Sequence, residues 1–445
     1  MRIAHPLTLA AVAFVCTRVE AQGSPPGEID PELLRIIAAV PAIDNHAHPV
    51  LPPPHTATDR GFDALPVDNM EPQTDPLGWR PDSLQLGDAW KALWRFTEPP
   101  PLSADGLKRL GASRDKVRAQ HGEQFDRWVL DQAQIGTMLA NRVALGPGVL
   151  PPRFRWVPYV DALVFPLDNA GLAAANPDRA QFFALEDKLA AQYLQAVHLK
   201  TPPATLEAYL TQVVTPTLER QHAEGAVAEK FEIAYLRGFD FTDPTRADAA
   251  RVYARWIHRP RPDPADYKVL QDYLFRFIAV ECGRLHMVVH LHTMSGGGGY
   301  FSIAGSNPLL LEPLFNAPGL RRTKFVMLHG GWPFVREAGA LLQKPNVWLD
   351  LSQQSLVFPP RMLAGWLREW LETFPDKVLY ATDGYPFSES LGWEEATYLA
   401  SRNLRQALGM ALTGMLRDRE ITREQATAIA RGVLHDNAGT LYGIQ

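Results

Sequence analysis

The sequence predicts an α/β fold, a (β/α)8 TIM barrel with helical insertions at its C-terminal face. Three observations predict it. Eight short apolar runs rich in Val, Leu, Ile and aromatics recur at 42–48, 135–144, 156–165, 226–236, 285–292, 324–329, 346–351 and 377–381. Buried parallel strands have this near-continuous apolar character because both of their faces are covered. Longer helical stretches separate the runs, and eightfold strand–helix alternation is the arithmetic of a closed barrel. Histidines and an aspartate sit at the C-terminal ends of several runs, where barrels place their chemistry. An open doubly wound sheet is the competing reading of the periodicity.

Taken in order, residues 1–21 read as a secretory leader: Arg2, an apolar stretch at 7–15, then Val19-Glu20-Ala21 before a cut that leaves Gln22 as the first mature residue. The alternatives are a buried N-terminal helix, opposed by Pro6, and a lipoprotein at Cys16, opposed by its bulky neighbours Phe14 and Val15. A leader implies a periplasmic or secreted protein. Residues 22–445 then form a single domain with Cys282 as its one cysteine, so no disulfide within the chain supports it and the core must.

The spacing of the runs is uneven. Between 324 and 377 they follow one another at nearly the minimum for βα units, whereas 49–134 intervenes between the first and second. This segment reads as a helical insertion that leaves the C-terminal end of strand one and folds over the barrel mouth. It opens with Pro52-Pro53-Pro54, carries the aromatic stretch 79–96, breaks at Pro99-Pro100-Pro101 and closes with a helix at 120–132. Its Trp79, Trp90, Trp94 and Phe96 read as insertion core before a substrate lid. A second helical excursion, 166–225, follows strand three and offers another wall for a pocket. Near the end, Thr422 and Gln425 make a capping box, and Ala426, Ile429, Ala430, Val433 and Leu434 share a helical face, which predicts a helix on the outside of the barrel.

Composition narrows the function. With 46% hydrophobic and 21% charged residues and a net charge of -5, the chain is neither disordered nor a basic nucleic-acid binder. No apolar run reaches the roughly 18 residues of a membrane span. A small-molecule substrate is the expected partner, with a homo-oligomer left open.

Histidine-x-histidine occurs twice, at His46-Ala47-His48 and His290-Leu291-His292, where chance in this composition gives roughly 0.4 such pairs. On a strand, residues i and i+2 share a face, so such a pair presents two imidazoles to one metal ion. His48, His292, His329 and Asp383 each end or follow an apolar run, and a barrel brings all four to one mouth. Asp383 in Ala381-Thr382-Asp383-Gly384 also suits a turn, and His329 in Leu328-His329-Gly330-Gly331 also suits a loop. Jointly, the set points to a divalent metal. Zn²⁺ fits imidazole and carboxylate donors, with Mn²⁺, Fe²⁺ and Ni²⁺ compatible.

The ordered motifs Ile43-Asp44-Asn45-His46-Ala47-His48, Leu291-His292-Thr293, Met327-Leu328-His329-Gly330-Gly331-Trp332-Pro333 and Tyr380-Ala381-Thr382-Asp383-Gly384 strongly resemble the amidohydrolase superfamily. The similarity is greatest to its amidohydrolase-related branch, which includes a domain fused to some glutamine-synthetase-like proteins, and it runs from about Ala42 to His435-Asp436-Asn437-Ala438 and Leu441-Tyr442-Gly443. By this resemblance His46 and His48 are the first metal pair, His292 and His329 the next imidazoles, and Asp383 both a ligand and the base for the attacking water. Lys230, in Ala228-Glu229-Lys230-Phe231-Glu232-Ile233, falls where many members place a lysine on strand four. There a carbamylated lysine bridges two metals, whereas a plain ammonium accompanies one. The sequence does not decide between them.

The chemistry implied is hydrolysis of a C–N or C–O bond: metal acidifies water, Asp383 takes its proton, and His329 or His290 stabilises the oxyanion. His290 shares a strand face with His292, so a supporting role is equally open to it. Arg142 and Arg237, each closing a strand, are candidates to clamp a substrate carboxylate, with an exposed loop arginine as the plain alternative. Gly296-Gly297-Gly298-Gly299 lacks the context of a nucleotide loop and reads as a flexible pocket loop. A metal-dependent decarboxylase or isomerase on the same barrel, and a catalytically silent binding protein, are the competing functions.

Overall fold

The computed structural model describes residues 29–62, 75–294 and 301–444. The leader at 1–21 and the glycine run at 296–299 lie outside them. Seven of the eight apolar runs contain a strand and the third overlaps one: β1 (Ala42–Ala47), β2 (Ile135–Asn141), β3 (Phe154–Val157), β4 (Ala228–Phe231), β5 (Val288–His292), β6 (Phe325–Leu328), β7 (Val347–Asp350) and β8 (Val378–Leu379). β3 starts before the run that predicted it and ends inside it, at Val157. Pro158 has no N–H to continue the ladder, and residues Asp161–Leu163 turn into a 3-10 helix.

All pairings between these eight strands are parallel. β1, β2 and β3 follow one another in one sheet, and β4 to β8 in a second. Parallel bridges from Trp156 to Ala226 and from Tyr159 to Lys230 join β3 to β4. Between β8 and β1, the Asn45 N–H donates to the Tyr380 carbonyl at 2.9 Å, Asp383 N–H to His46 at 2.8 Å, and His48 N–H to Gly384 at 2.8 Å. These bonds close the ring in strand order 1 to 8, the predicted barrel.

Alternation sorts the side chains. Ile43, Leu139, Val157, Ala228, Val288, Val326 and Leu379, one from each of seven strands, form one apolar cluster inside the barrel. Two residues further along the same faces come Asn45, Lys230 and His290, so the polar layer begins directly above an apolar floor.

The floor is closed by the C-terminus. The capping box at Thr422 and Gln425 starts a helix at Arg423–Arg431 that packs outside the barrel on the helices Pro31–Ala39 and Trp393–Arg417, as expected. After one π-helical turn the chain forms a further helix, Asn437–Tyr442, whose Ala438 and Leu441, with Ile444, join the inward apolar cluster. This last piece therefore plugs the bottom of the barrel, which the sequence reading did not foresee.

The segment between β1 and β2 carries helices at Leu84–Trp94, Ala104–His121 and Phe125–Gln132. Trp90 Nε1 donates to the Ser390 carbonyl at 2.9 Å and Trp94 Nε1 to Glu395 at 2.6 Å, which fastens these helices to the chain that follows β8. Among the described residues, none of 49–134 lines the central cavity. The segment reaches it indirectly: Phe62 packs on Tyr385 and Trp79 stacks on Phe387. No helix among the described residues is long and apolar enough to cross a membrane.

Candidate metal centre

At the C-terminal mouth a small cavity of about 40 Å³ opens over the strand ends. His46 and His48 approach it from β1 and Asp383 from just beyond β8. Asp383 Oδ1 lies 3.3 Å from His46 Nε2 and 3.4 Å from His48 Nε2. One donor atom from each of the three residues falls within 4.8 Å of the others, and all three side chains are buried. The spacing is set from below by Asp44, whose buried carboxylate accepts both the N–H and the hydroxyl of Thr382 and so ties β1 to the chain carrying Asp383. Burial, opposed by these bonds, raises the Asp44 carboxyl to about 7.

Backbone conformation also aims the site. His329, Gln353 and Asp383, all of which line the cavity, have φ values of 65°, 59° and 54°. A non-glycine residue in this left-handed region costs about 1–2 kcal/mol, so the surroundings must hold it. They do: Asp383 N–H donates to the His46 carbonyl at 2.8 Å, and His329 N–H to Asp350 Oδ1 at 2.9 Å.

Burial pushes the His46 imidazole well below its ordinary pKa, and the Lys230 charge adds to the effect; burial and then His292 do the same to His329. Burial alone would raise Asp383, but hydrogen bonds from His46 and His48 outweigh it and hold the carboxyl well below its usual range. Neutral imidazoles and an ionised carboxylate are the forms that ligate a metal. Two imidazole nitrogens and a carboxylate oxygen converge at one point, and a divalent ion would take the place of the protons that now join them, with the cavity side open.

His292 and His329 line the same cavity, their rings 4.4 Å apart and His329 5.2 Å from His46. The state of His329 follows from its partners. Ser352 Oγ gives its proton to Asp350 Oδ1 at 2.6 Å and therefore accepts from His329 Nδ1 at 2.8 Å. That leaves the lone pair on Nε2. Lys230, fully buried, reaches the cavity floor: its Nζ is 3.4 Å from His46 Nε2 and 3.0 Å from Glu232 Oε1.

Three residues that the sequence offered as substrate contacts sit away from the cavity. The guanidinium of Arg142 is spent inside the protein, on both oxygens of Asp59 at 2.7 and 2.9 Å and on the carbonyls of Pro49 and Ala144. Arg237 pairs with Asp272 at 2.6 Å and lies over the Phe241 ring. His290 is one layer below the cavity, its Nε2 2.6 Å from the Tyr442 hydroxyl. None of the three lines the cavity.

The structure adds residues the sequence reading passed over. Glu232 stands two positions beyond Lys230, on the same face, and i,i+2 spacing was a usable signal for it. Tyr159, whose hydroxyl sits 3.1 Å from His48 Nδ1, gave no such signal, because its contact spans 111 residues. Phe182, Tyr235, Tyr385 and Phe387 supply aromatic walls. Phe182 comes from the helix Pro177–Ala196, so the second excursion does form a wall.

A barrel with imidazoles and a carboxylate converging at its C-terminal mouth defines a class, the metal-dependent enzymes of the amidohydrolase superfamily. The amidohydrolase family model matches residues 169–444, well over half of the chain, and the chain belongs to that family. It is 31% identical over 231 residues to Protein fluG of Emericella nidulans, a match covering 48% of this chain and 25% of that protein. The chain thus spans about a quarter of the length of that curated relative. Among solved structures, a protein of Lactobacillus casei provisionally described as a metal-dependent hydrolase superposes with a TM-score of 0.62 at 16% identity, covering 94% of this chain and 98% of that one. Glucuronate isomerase of Caulobacter crescentus superposes with a TM-score of 0.56 at 12% identity, covering 93% of each chain. At these identities the two structures establish the shared fold.

Proposed function

We propose that the protein is a metal-dependent hydrolase that cleaves a C–N or C–O bond in a small molecule. His46, His48 and Asp383 hold the ion, Zn²⁺ being the best match to such donors. The observation that carries this reading is the convergence of two imidazoles and one carboxylate within 4.8 Å at the floor of a cavity. When bound, a divalent ion polarises a substrate oxygen and acidifies water.

The chain's own residues do the rest. Asp383 Oδ1 faces the two imidazoles, while Oδ2 turns toward His329, 3.9 Å from its Nδ1, and is the oxygen placed to take the proton of the attacking water. His329 Nε2 is available as a fourth donor. Lys230, the lysine lining the cavity, faces negative charge developing on the substrate.

The substrate itself reads differently once the arginines are placed. No described arginine lines the cavity, and its walls are Phe182, Tyr235, Tyr385 and Phe387. This favours a molecule with a flat or apolar part beside the scissile bond over one recognised by a guanidinium clamp. A leader at 1–21 makes the protein periplasmic or secreted in this proposal, with Gln22 as the expected mature N-terminus.

The test is turnover of an amide, ester and lactone panel in ¹⁸O water, before and after chelation. Expected are ¹⁸O in the product, loss of activity with metal removal and its return with Zn²⁺. Carbon dioxide release or isomerisation without ¹⁸O uptake would overturn hydrolysis.

A further inference from the structure

The chain leaves β7 through Leu351 and Ser352 and brings Gln353 to the cavity. Gln353 has φ 59° and ψ -48°, a conformation that crowds any residue with a Cβ. It is the centre of a three-residue turn closed by the Gln354 N–H, which donates to the Ser352 carbonyl at 2.6 Å. Both neighbours are anchored to the metal centre. The Ser352 N–H and hydroxyl donate to Asp350 Oδ1 at 3.0 and 2.6 Å, Ser352 Oγ accepts from His329 Nδ1, and Gln354 Nε2 donates to the His329 carbonyl. The scaffold that fixes His329 therefore also holds Gln353 in its strained turn.

Strain of this kind persists only where the surroundings impose it, and it collects at binding sites. Nothing in the turn requires a glutamine, because glycine would adopt the same angles freely. The half-buried Gln353 carboxamide makes no hydrogen bond to any described residue. Of its polar neighbours in the cavity, His46, His48 and Asp383 converge on the place of the ion, and Lys230 pairs with Glu232 at 3.0 Å. A carboxamide holds a donor and an acceptor in one plane. A neutral amide presents the matching acceptor and donor. An ester or a carboxylate has no N–H, so it would satisfy Nε2 and leave Oε1 facing another oxygen.

We propose that Gln353 is a specificity-determining residue that pairs with an amide group of the substrate, so that among C–N and C–O bonds the site selects amides. The inference rests on the hydrolytic reading above and narrows its substrate class.

The experiment uses the full chain loaded with zinc and two probes that differ only in N–H against O, N-methylbenzamide and methyl benzoate. Dissociation constants come from ligand-observed NMR titration, zinc per chain from elemental analysis and the melting temperature from calorimetry. The wild type is expected to bind the amide about tenfold tighter than the ester, which is what one hydrogen bond between neutral groups supplies. Gln353→Met keeps the length of the side chain without its polar atoms and is expected to bind both probes alike, with zinc retained. Gln353→Gly is expected to lose the preference too and, relieved of strain, to melt no lower than the wild type. Equal affinities in the wild type, no detectable binding of either probe, or a preference that survives both substitutions overturns the proposal. So does a loss of preference accompanied by loss of zinc, or a Gln353→Gly variant that melts lower, since either would make the side chain a support of the fold. Binding is read without turnover. A chain that prefers the amide and incorporates no ¹⁸O leaves this inference standing and overturns hydrolysis, while ¹⁸O uptake into esters without an amide preference does the reverse.

Discussion

The hydroxyl of Tyr442, near the C-terminus, donates to Oδ1 of Asn45 in the first strand. It also accepts from His290 Nε2, whose imidazole is held neutral because burial, with Lys230 adding, pushes it down to about 3. Asn45 Nδ2 donates onward to Asp350 Oδ2 at 2.7 Å, and Asp350 holds Ser352, which fixes His329. One hydrogen-bonded chain therefore runs from the plug at the bottom of the barrel to an imidazole at its mouth. The plug helps orient the metal centre as well as closing the core.

Breaking this chain at its two ends should have different effects. Ser352→Ala removes the acceptor of His329 Nδ1–H, freeing the ring to flip or change tautomer, and zinc affinity should fall by about 10–100-fold. Tyr442→Phe leaves Asn45 Oδ1 and His290 Nε2–H unsatisfied in the interior, costing about 1–3 kcal/mol of stability with a smaller change in affinity. Competition with a chelating dye and urea unfolding measure the two quantities. Equal effects of both variants on affinity would show that orientation is not transmitted stepwise.

The barrel was legible because buried parallel strands leave apolar runs; His48, His292, His329 and Asp383 stood out because each ends or follows one, and His46 because it shares a strand face with His48. What escaped was pairing over distance. Arg142 ends β2 as a substrate clamp would, and nothing local reveals that Asp59, 83 residues earlier, occupies it. The apolar face of Asn437–Tyr442 says that it is buried but not which end of the barrel buries it. Glu232 was the exception, readable beside Lys230 from strand alternation alone.

Arg142 gives a second prediction. Its pair with Asp59 is 1% and 2% exposed, and removing one partner strands a buried charge. Arg142→Ala should cost about 3–5 kcal/mol of stability. KM at a temperature where the variant stays folded should remain at the wild-type value. A raised KM with unchanged stability would restore the substrate-clamp role.

Asp383→Asn separates ligation from proton transfer. The amide keeps an oxygen for the ion but cannot accept the proton of water, so kcat should drop by about 10²–10⁴-fold while some zinc is retained. Metal content and kcat are measured on the same preparation. Unchanged turnover with zinc present would remove Asp383 as the base.

Asp126, on the helix Phe125–Gln132, gives the clearest pH dependence away from the centre. It is fully buried, and neither carboxyl oxygen has a hydrogen-bond partner among the described residues. Burial, then the charges of Glu394 and Asp59, raise its pKa well above 3.8, while Arg142 and Arg118 only partly oppose them. The folded chain therefore keeps a proton that the unfolded chain has released. Stability due to this group is full below the unfolded value of 3.8 and falls as pH rises toward the folded value, by about 1.4 kcal/mol per pH unit while the two states differ by one proton. Asp126→Asn removes the linkage and leaves a neutral group of the same shape. Its stability relative to wild type should rise steadily from about pH 4 upward, and urea unfolding across that range measures the difference. Parallel curves for the two proteins would mean that Asp126 is ionised in the folded state, with a counter-charge close enough to offset its burial.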